Sequence, residues 1–321
     1  MREFFRTRLS SAAWMLAAGL GFSLPAAAND LDVLGQFIEQ KADIVADSTN
    51  DALAEFLAEF PDATLKQQAA VAGPLLTSQS ALIMNANSGE VLYEKNIHRV
   101  RPIASISKLV SAMVVLDAGQ NLNEPITITE AEIDRLKGTG SRLSIGTTMT
   151  RGQMLHLSLM SSENRATAAL GRTYPGGMDA FVAAMNQKVQ SLGMRNSAFV
   201  EPTGLSPRNV STAHDLSILV RAANKYPLIR QLSTANSGTV YTSNGKEQNF
   251  RNSNALVREG AWPVSLQKTG YIREAGRSMV VQAQVQNQPL VIVLLNSPTS
   301  ATRVNDARSI FDWMITRNKT F

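Results

Sequence analysis

The chain has 321 residues, 44% of them apolar, which supports one large or two smaller domains with a sizeable core and excludes a disordered or fibrous protein. It contains no cysteine, which excludes disulfides, thiol catalysis and Cys-ligated metal. The formal charge is +5, without the dense basic stripe and interleaved aromatics that a nucleic-acid partner calls for.

In chain order, residues 1–28 read as an export signal. Arg2, Arg6 and Arg8 precede an apolar run over 12–24, and Pro25-Ala26-Ala27-Ala28 supplies small residues for cleavage after Ala28. The run is short for a bilayer span and no second long one follows. The mature chain is therefore expected in the periplasm without a transmembrane segment, at a net charge of about +3. Residues 29–77 are rich in Ala, Leu, Glu and Gln. Amphipathic spacing over 32–46 and 51–60, with breaks at Asp47-Ser48-Thr49-Asn50 and Pro61, predicts a helical N-terminal extension without catalytic groups, open to reading as an appendage, a partner-binding element or a partly disordered leader.

From residue 78 the pattern changes. Residues 80–84 and 91–93 read as strands joined by the turn residues Asn87-Ser88-Gly89, a β-hairpin. A helix is predicted over 107–118, then short strands and loops in the polar region 121–150. Helices follow at 151–171, 178–192 and 212–226. Strands come next at 267–272, 278–285 and 290–295, the last two joined by Gln286-Asn287-Gln288-Pro289. A closing helix over 303–316 presents Ile310, Phe311 and Met314 on one side. Strands at both ends of a helical middle imply an α+β fold, in which the first hairpin and the last three strands form one antiparallel sheet with helices packed beside it.

Three short motifs carry the chemistry. Ser105-Ile106-Ser107-Lys108 stands at the entry to the 107–118 helix, where positions i and i+3 share a face near the free N–H groups of the first turn. A serine hydroxyl is a poor nucleophile unless a base stands within hydrogen-bond reach, and a lysine can be that base when burial and nearby cations lower its pKa. Alone, the tetrapeptide reads as a capping serine and a solvated lysine. Ser162 and Asn164 fall where one apolar helix, 154–160, ends and another begins, two apart and able to face one cleft. Lys268-Thr269-Gly270 lies on a strand, where Gly270 would let a ligand approach the backbone. Each motif is common; the three in this order and layout are specific. His98, His156 and His214 stand singly and read as structural or surface residues, so no metal site is expected.

With that set, residues 80–316 resemble the low-molecular-mass penicillin-binding proteins of the serine D-alanyl-D-alanine peptidase type. The likeness extends over 102–108, 159–166, 201–206 with Ser211-Thr212-Ala213, and 268–277. Met160 to Ala166 and Tyr174-Pro175-Gly176-Gly177 look most like the endopeptidase branch. The resemblance implies a β-lactamase/transpeptidase-like fold, a five-stranded antiparallel sheet against a helical cluster, with residues 78–321 as the catalytic domain and no cofactor. It implies Ser105 as nucleophile and Lys108 as its base, kept partly neutral by the like charge of Lys268. Ser162 would pass a proton to the leaving amine, and Asn164 would bond a substrate amide. Lys268 and Thr269 would receive the carboxylate beside the scissile bond, with Gly270 beside them. The backbone N–H groups of Ser105 and Tyr271 would hold the oxyanion. Arg273 stands equally as a carboxylate partner or a surface residue.

The partners implied are peptidoglycan stem peptides, with β-lactams as covalent inhibitors. The chain stops at Phe321, after the closing helix, without the β-rich second domain and anchor helix of membrane-held carboxypeptidases. That favours cleavage of D-Ala–diaminopimelate cross-links, with D-Ala–D-Ala carboxypeptidase activity as the alternative. A class A β-lactamase would deacylate through a glutamate. Glu201 is the one candidate, and the Pro202-Thr203-Gly204-Leu205 after it departs from the lactamase pattern. A non-catalytic wall-binding protein is the last alternative, opposed by the intact set.

Overall fold

The computed structural model describes residues 73–260 and 262–320; the export signal and most of the helical extension lie outside the described residues. The first described elements are β1 (Ser80–Asn85), β2 (Val91–Lys95), β3 (Arg101–Pro102), a 3-10 turn (Ala104–Ile106) and α1 (Ser107–Asp117). Next come β4 (Pro125–Thr127), β5 (Thr148–Thr150), α2 (Arg151–Met160), α3 (Asn164–Arg172) and α4 (Gly177–Ser191). The chain continues through β6 (Val210–Ser211), α5 (Ala213–Ala223), α6 (Pro227–Thr234), β7 (Ser237–Tyr241), β8 (Glu247–Arg251) and α7 (Ala255–Glu259). It closes with β9 (Val264–Ile272), β10 (Gly276–Val285), β11 (Gln288–Ser297) and α8 (Ser300–Thr320).

The expected five-stranded sheet forms in the order β2-β1-β11-β10-β9, every pair antiparallel. Side-chain alternation explains why it is buried on both faces. Leu82, Met84, Val280, Val291, Val293 and Leu295 enter the core shared with α1 to α6. Their sequence neighbours Ala81, Ile83, Val281, Ile292 and Leu294 enter a second core against Ile310, Phe311 and Met314 of α8. Fully burying each such Leu, Ile or Val is worth about 1.5–3 kcal/mol, so the continuous apolar runs of β1 and β11 fix their central place in the sheet. Asp306 of α8 ties down the chain just before β1. Its two oxygens accept bonds from the backbone and hydroxyls of Thr77 and Ser78 at 2.5–3.0 Å.

The helical stretch 151–171 divides after Met160, at the motif where one helix was expected to end and another to begin; there Ser162 adopts a left-handed φ of 64° and the Glu163 side chain caps α3 through Arg165 N. The β7–β8 hairpin and α6 went unread. Each hairpin strand buries one large side chain, Val240 or Phe250, so no alternating apolar signal reaches the sequence.

Candidate active site

Ser105 sits in the 3-10 turn that leads into α1, one step before the helix on which it was expected. Ala104 before it has a left-handed φ of 49°, rare for a residue with a side chain. Two glycines from distant segments hold this turn. A Cβ on Gly204, itself at φ 85°, would lie 2.0 Å from the Ala104 carbonyl oxygen and 2.6 Å from Ser105 N. A Cβ on Gly270 of β9 would lie 2.9 Å from the Ile103 oxygen and 3.2 Å from Ser105 N. The chain's own backbone thus packs against Gly270, which also lines the cleft.

Lys108, fully buried on the first turn of α1, places Nζ 2.8 Å from Ser105 Oγ. The same nitrogen meets Asn164 Oδ1 at 2.8 Å and the Thr203 carbonyl at 2.6 Å. Both are acceptors only. An uncharged amine would give one N–H to each and leave its lone pair facing the Ser105 hydroxyl. Burial pushes the Lys108 amine down to about 7, against the opposing pull of Glu201 and Glu163. The reading that Lys268 neutralises Lys108 is therefore corrected: burial does so. Lys268 is held well below the usual lysine value by its own burial first and then by Lys108 and Arg303.

Lys268 has no exposed surface and bonds the Thr269 carbonyl at 2.9 Å, so it stands behind the cleft wall rather than on it. The cleft, about 490 Å³, is lined by Ser105, Ser162, Asn164, Thr269, Gly270, Tyr271 and Arg273, among others. Asn164 turns Oδ1 to Lys108, and its Nδ2 makes a long 3.3 Å bond to Thr139 Oγ1. Thr269 Oγ1 bonds Ser253 Oγ at 2.8 Å. The Tyr271 ring is half exposed beneath the Arg277 guanidinium, 3.5 Å from its centroid. None of the three histidines lines the cleft.

A family model described as D-alanyl-D-alanine carboxypeptidase matches residues 66–299. The chain belongs to that family. It is a serine-type peptidase, a hydrolase. D-alanyl-D-alanine endopeptidases of Pseudomonas aeruginosa and Escherichia coli are each 44% identical to it; the first match covers 76% of this chain and 79% of the relative, the second 80% and 84%. The crystal structure of a Streptomyces DD-transpeptidase superposes with a TM-score of 0.70 at 25% identity, covering 76% of this chain and 98% of that one. The penicillin-binding, transpeptidase-like fold expected from the sequence is the fold of this family.

In this family member the reading of motifs missed a group of cleft residues. Arg303, at the start of α8, lines the cleft although it is 6% exposed; its Nε lacks a partner and its Nη1 bonds the Ser278 carbonyl at 3.2 Å. Burial, with Arg277 and Arg258 nearby, pushes its guanidinium down to about 10. Arg277 and Lys137 line the same cleft, and Lys137 is paired to Glu274 at 2.5 Å. A buried cation with an open donor, among other cations, suits an anion brought by the substrate. No local signal marks Arg303, which in sequence is an ordinary helix arginine.

Proposed function

We propose that the protein is a periplasmic endopeptidase that hydrolyses the D-Ala–diaminopimelate bonds cross-linking peptidoglycan stem peptides, and that β-lactams acylate it on Ser105. The observation that carries the chemistry is the 2.8 Å contact between Lys108 Nζ and Ser105 Oγ, made by a buried amine with acceptors on its other two sides. Lys108 takes the Ser105 proton as Oγ bonds to the D-Ala carbonyl carbon. The oxyanion that forms is held by the Ser105 and Tyr271 N–H groups. The carbon–nitrogen bond then breaks as the proton held on Lys108 passes through Ser162 to the leaving amine, with Lys268 setting the local field, and the Lys108 amine is neutral again. Water, deprotonated by the amine of Lys108, cleaves the acyl-enzyme and restores the hydroxyl.

The cleft geometry refines the roles read for binding. Asn164 Nδ2, tied only by its long bond to Thr139, can exchange that bond for a substrate carbonyl. The carboxylate beside the scissile bond is taken by Thr269 Oγ1 and the Arg303 and Arg277 guanidiniums, with Lys268 acting from behind. The endopeptidase preference rests on the two relatives of that name; the family description supports carboxypeptidase action as the second reading. Incubation with cross-linked muropeptide dimers and with pentapeptide monomers separates them. Dimers should be split, and loss of D-Ala from monomers alone would overturn the preference. Labelling by a fluorescent penicillin should vanish in Ser105→Ala.

A further inference from the structure

Glu201 was weighed above as a deacylating base, and its surroundings give it other work. Oε1 accepts bonds from Gly204 N at 2.8 Å and Ser206 N at 3.2 Å; Oε2 accepts from Thr203 N at 2.7 Å and Thr203 Oγ1 at 2.5 Å. A carboxylate offers about four acceptor positions, so none is left to activate a water. The loop it folds touches the Ser105 turn and α1 at three points. The Thr203 carbonyl receives Lys108 at 2.6 Å, the Pro202 carbonyl receives Ser111 of α1 at 2.8 Å, and Gly204 lies against Ala104. Asn209 locks the arrangement by donating to the Glu201 carbonyl at 2.8 Å and to Ser107 Oγ at 3.1 Å.

We propose that Glu201 is a positioning residue of this active site, whose carboxylate shapes residues 201–206 into the wall that fixes both the nucleophile turn and the Lys108 amine. The proposal rests on the reading of Lys108 as the base for Ser105. Its negative charge also acts on that amine. The charged groups facing Lys108 are Glu201 on this loop, Glu163 at the cap of α3 and Lys268 on β9. Glu201 is the larger of the two opposing pulls and keeps the amine from falling further. The carboxylate therefore sets where acylation begins to fail in acid, as well as the distance the proton travels.

The test follows the rate of acylation by a fluorescent penicillin against pH in the full chain, with wild type, Glu201→Gln and Glu201→Asp. In wild type the rate should need Ser105 and fall as pH drops through about 7. Absence of that limb would sink the base reading itself, and it is visible before any variant is made. In Glu201→Gln the limb should move to lower pH and the plateau should fall by about 10²-fold, the cost of misplacing a reacting group by about 1 Å. In Glu201→Asp the charge remains, so the plateau should fall while the limb stays. A limb unmoved in the Gln variant, or moved equally in both, overturns the proposal. Should the Gln variant fail to fold, amide exchange in wild type still decides. Thr203, Gly204 and Ser206 should exchange slowly, and exchange at the rate of an exposed loop would overturn it.

Discussion

Replacing Gly204 by Ala tests whether the Ser105 turn is held by backbone packing. The new Cβ would sit 2.0 Å from the Ala104 oxygen and 2.2 Å from its carbonyl carbon, both backbone atoms that no rotamer change can clear. A left-handed φ of 85° adds a conformational penalty of about 1–2 kcal/mol for a residue with a side chain. Overpacking of a filled site adds about 1–3 kcal/mol. Together the loss is about 2–5 kcal/mol, or about 4–20 °C in Tm for a domain of this size. Relief requires moving Ala104 and Ser105 by about 1 Å, which should slow acylation about 10²-fold. Gly193→Ala is the control, because Gly193 also has a left-handed φ, 81°, but nothing lies within 4 Å of its Cβ position. It should lose about 1–2 kcal/mol and no activity. Differential scanning calorimetry and the fluorescent-penicillin rate read both quantities. A Gly204→Ala enzyme that acylates like wild type would refute the claim that this glycine clamps the turn.

The remaining expectations concern charge and fastening. Because the amine of Lys108 loses its proton at about 7, acylation should fall about tenfold for each pH unit below that point; stopped-flow fluorescence measures it, and a flat profile from pH 5 to 8 would contradict it. Arg303→Ala should raise KM for peptides with a free carboxylate beside the scissile bond and leave KM for their amides little changed, as steady-state assays on the paired substrates would show. Lys137→Ala removes an exposed pair and should leave Tm within about 1 °C by thermal melt. Asp306→Ala strands four donors on Thr77 and Ser78 and should cost about 2–4 kcal/mol in a urea titration.

What the sequence disclosed depended on how local each signal was. The apolar runs of β10 and β11 are one-dimensional facts, and they placed the sheet. The Ser105–Lys108 spacing was equally local, and it placed the Ser105 hydroxyl beside the Lys108 amine. The cause of the amine's lowered pKa was not local. It depends on helices and loops closing over Lys108, which no spacing reveals, so the repulsion from Lys268 was credited with what burial does. Gly270 was recognised as a place of close approach, but which backbone approached could be read only in three dimensions. The Asn244-Gly245 turn, with Gly245 at φ 74°, was a visible sign of the β7–β8 hairpin, masked by strands that bury one large residue each.

The pairing of β1 with β11 reaches beyond catalysis. A strand made early waits for one made near the end, and the serine turn leans on β9, so the nucleophile pocket cannot exist on a nascent chain that has yet to emit its last strands. Covalent capture of a penicillin thereby doubles as a census of completed folding. In a destabilised variant, the fraction of molecules that take the label reports the fraction that have closed the sheet.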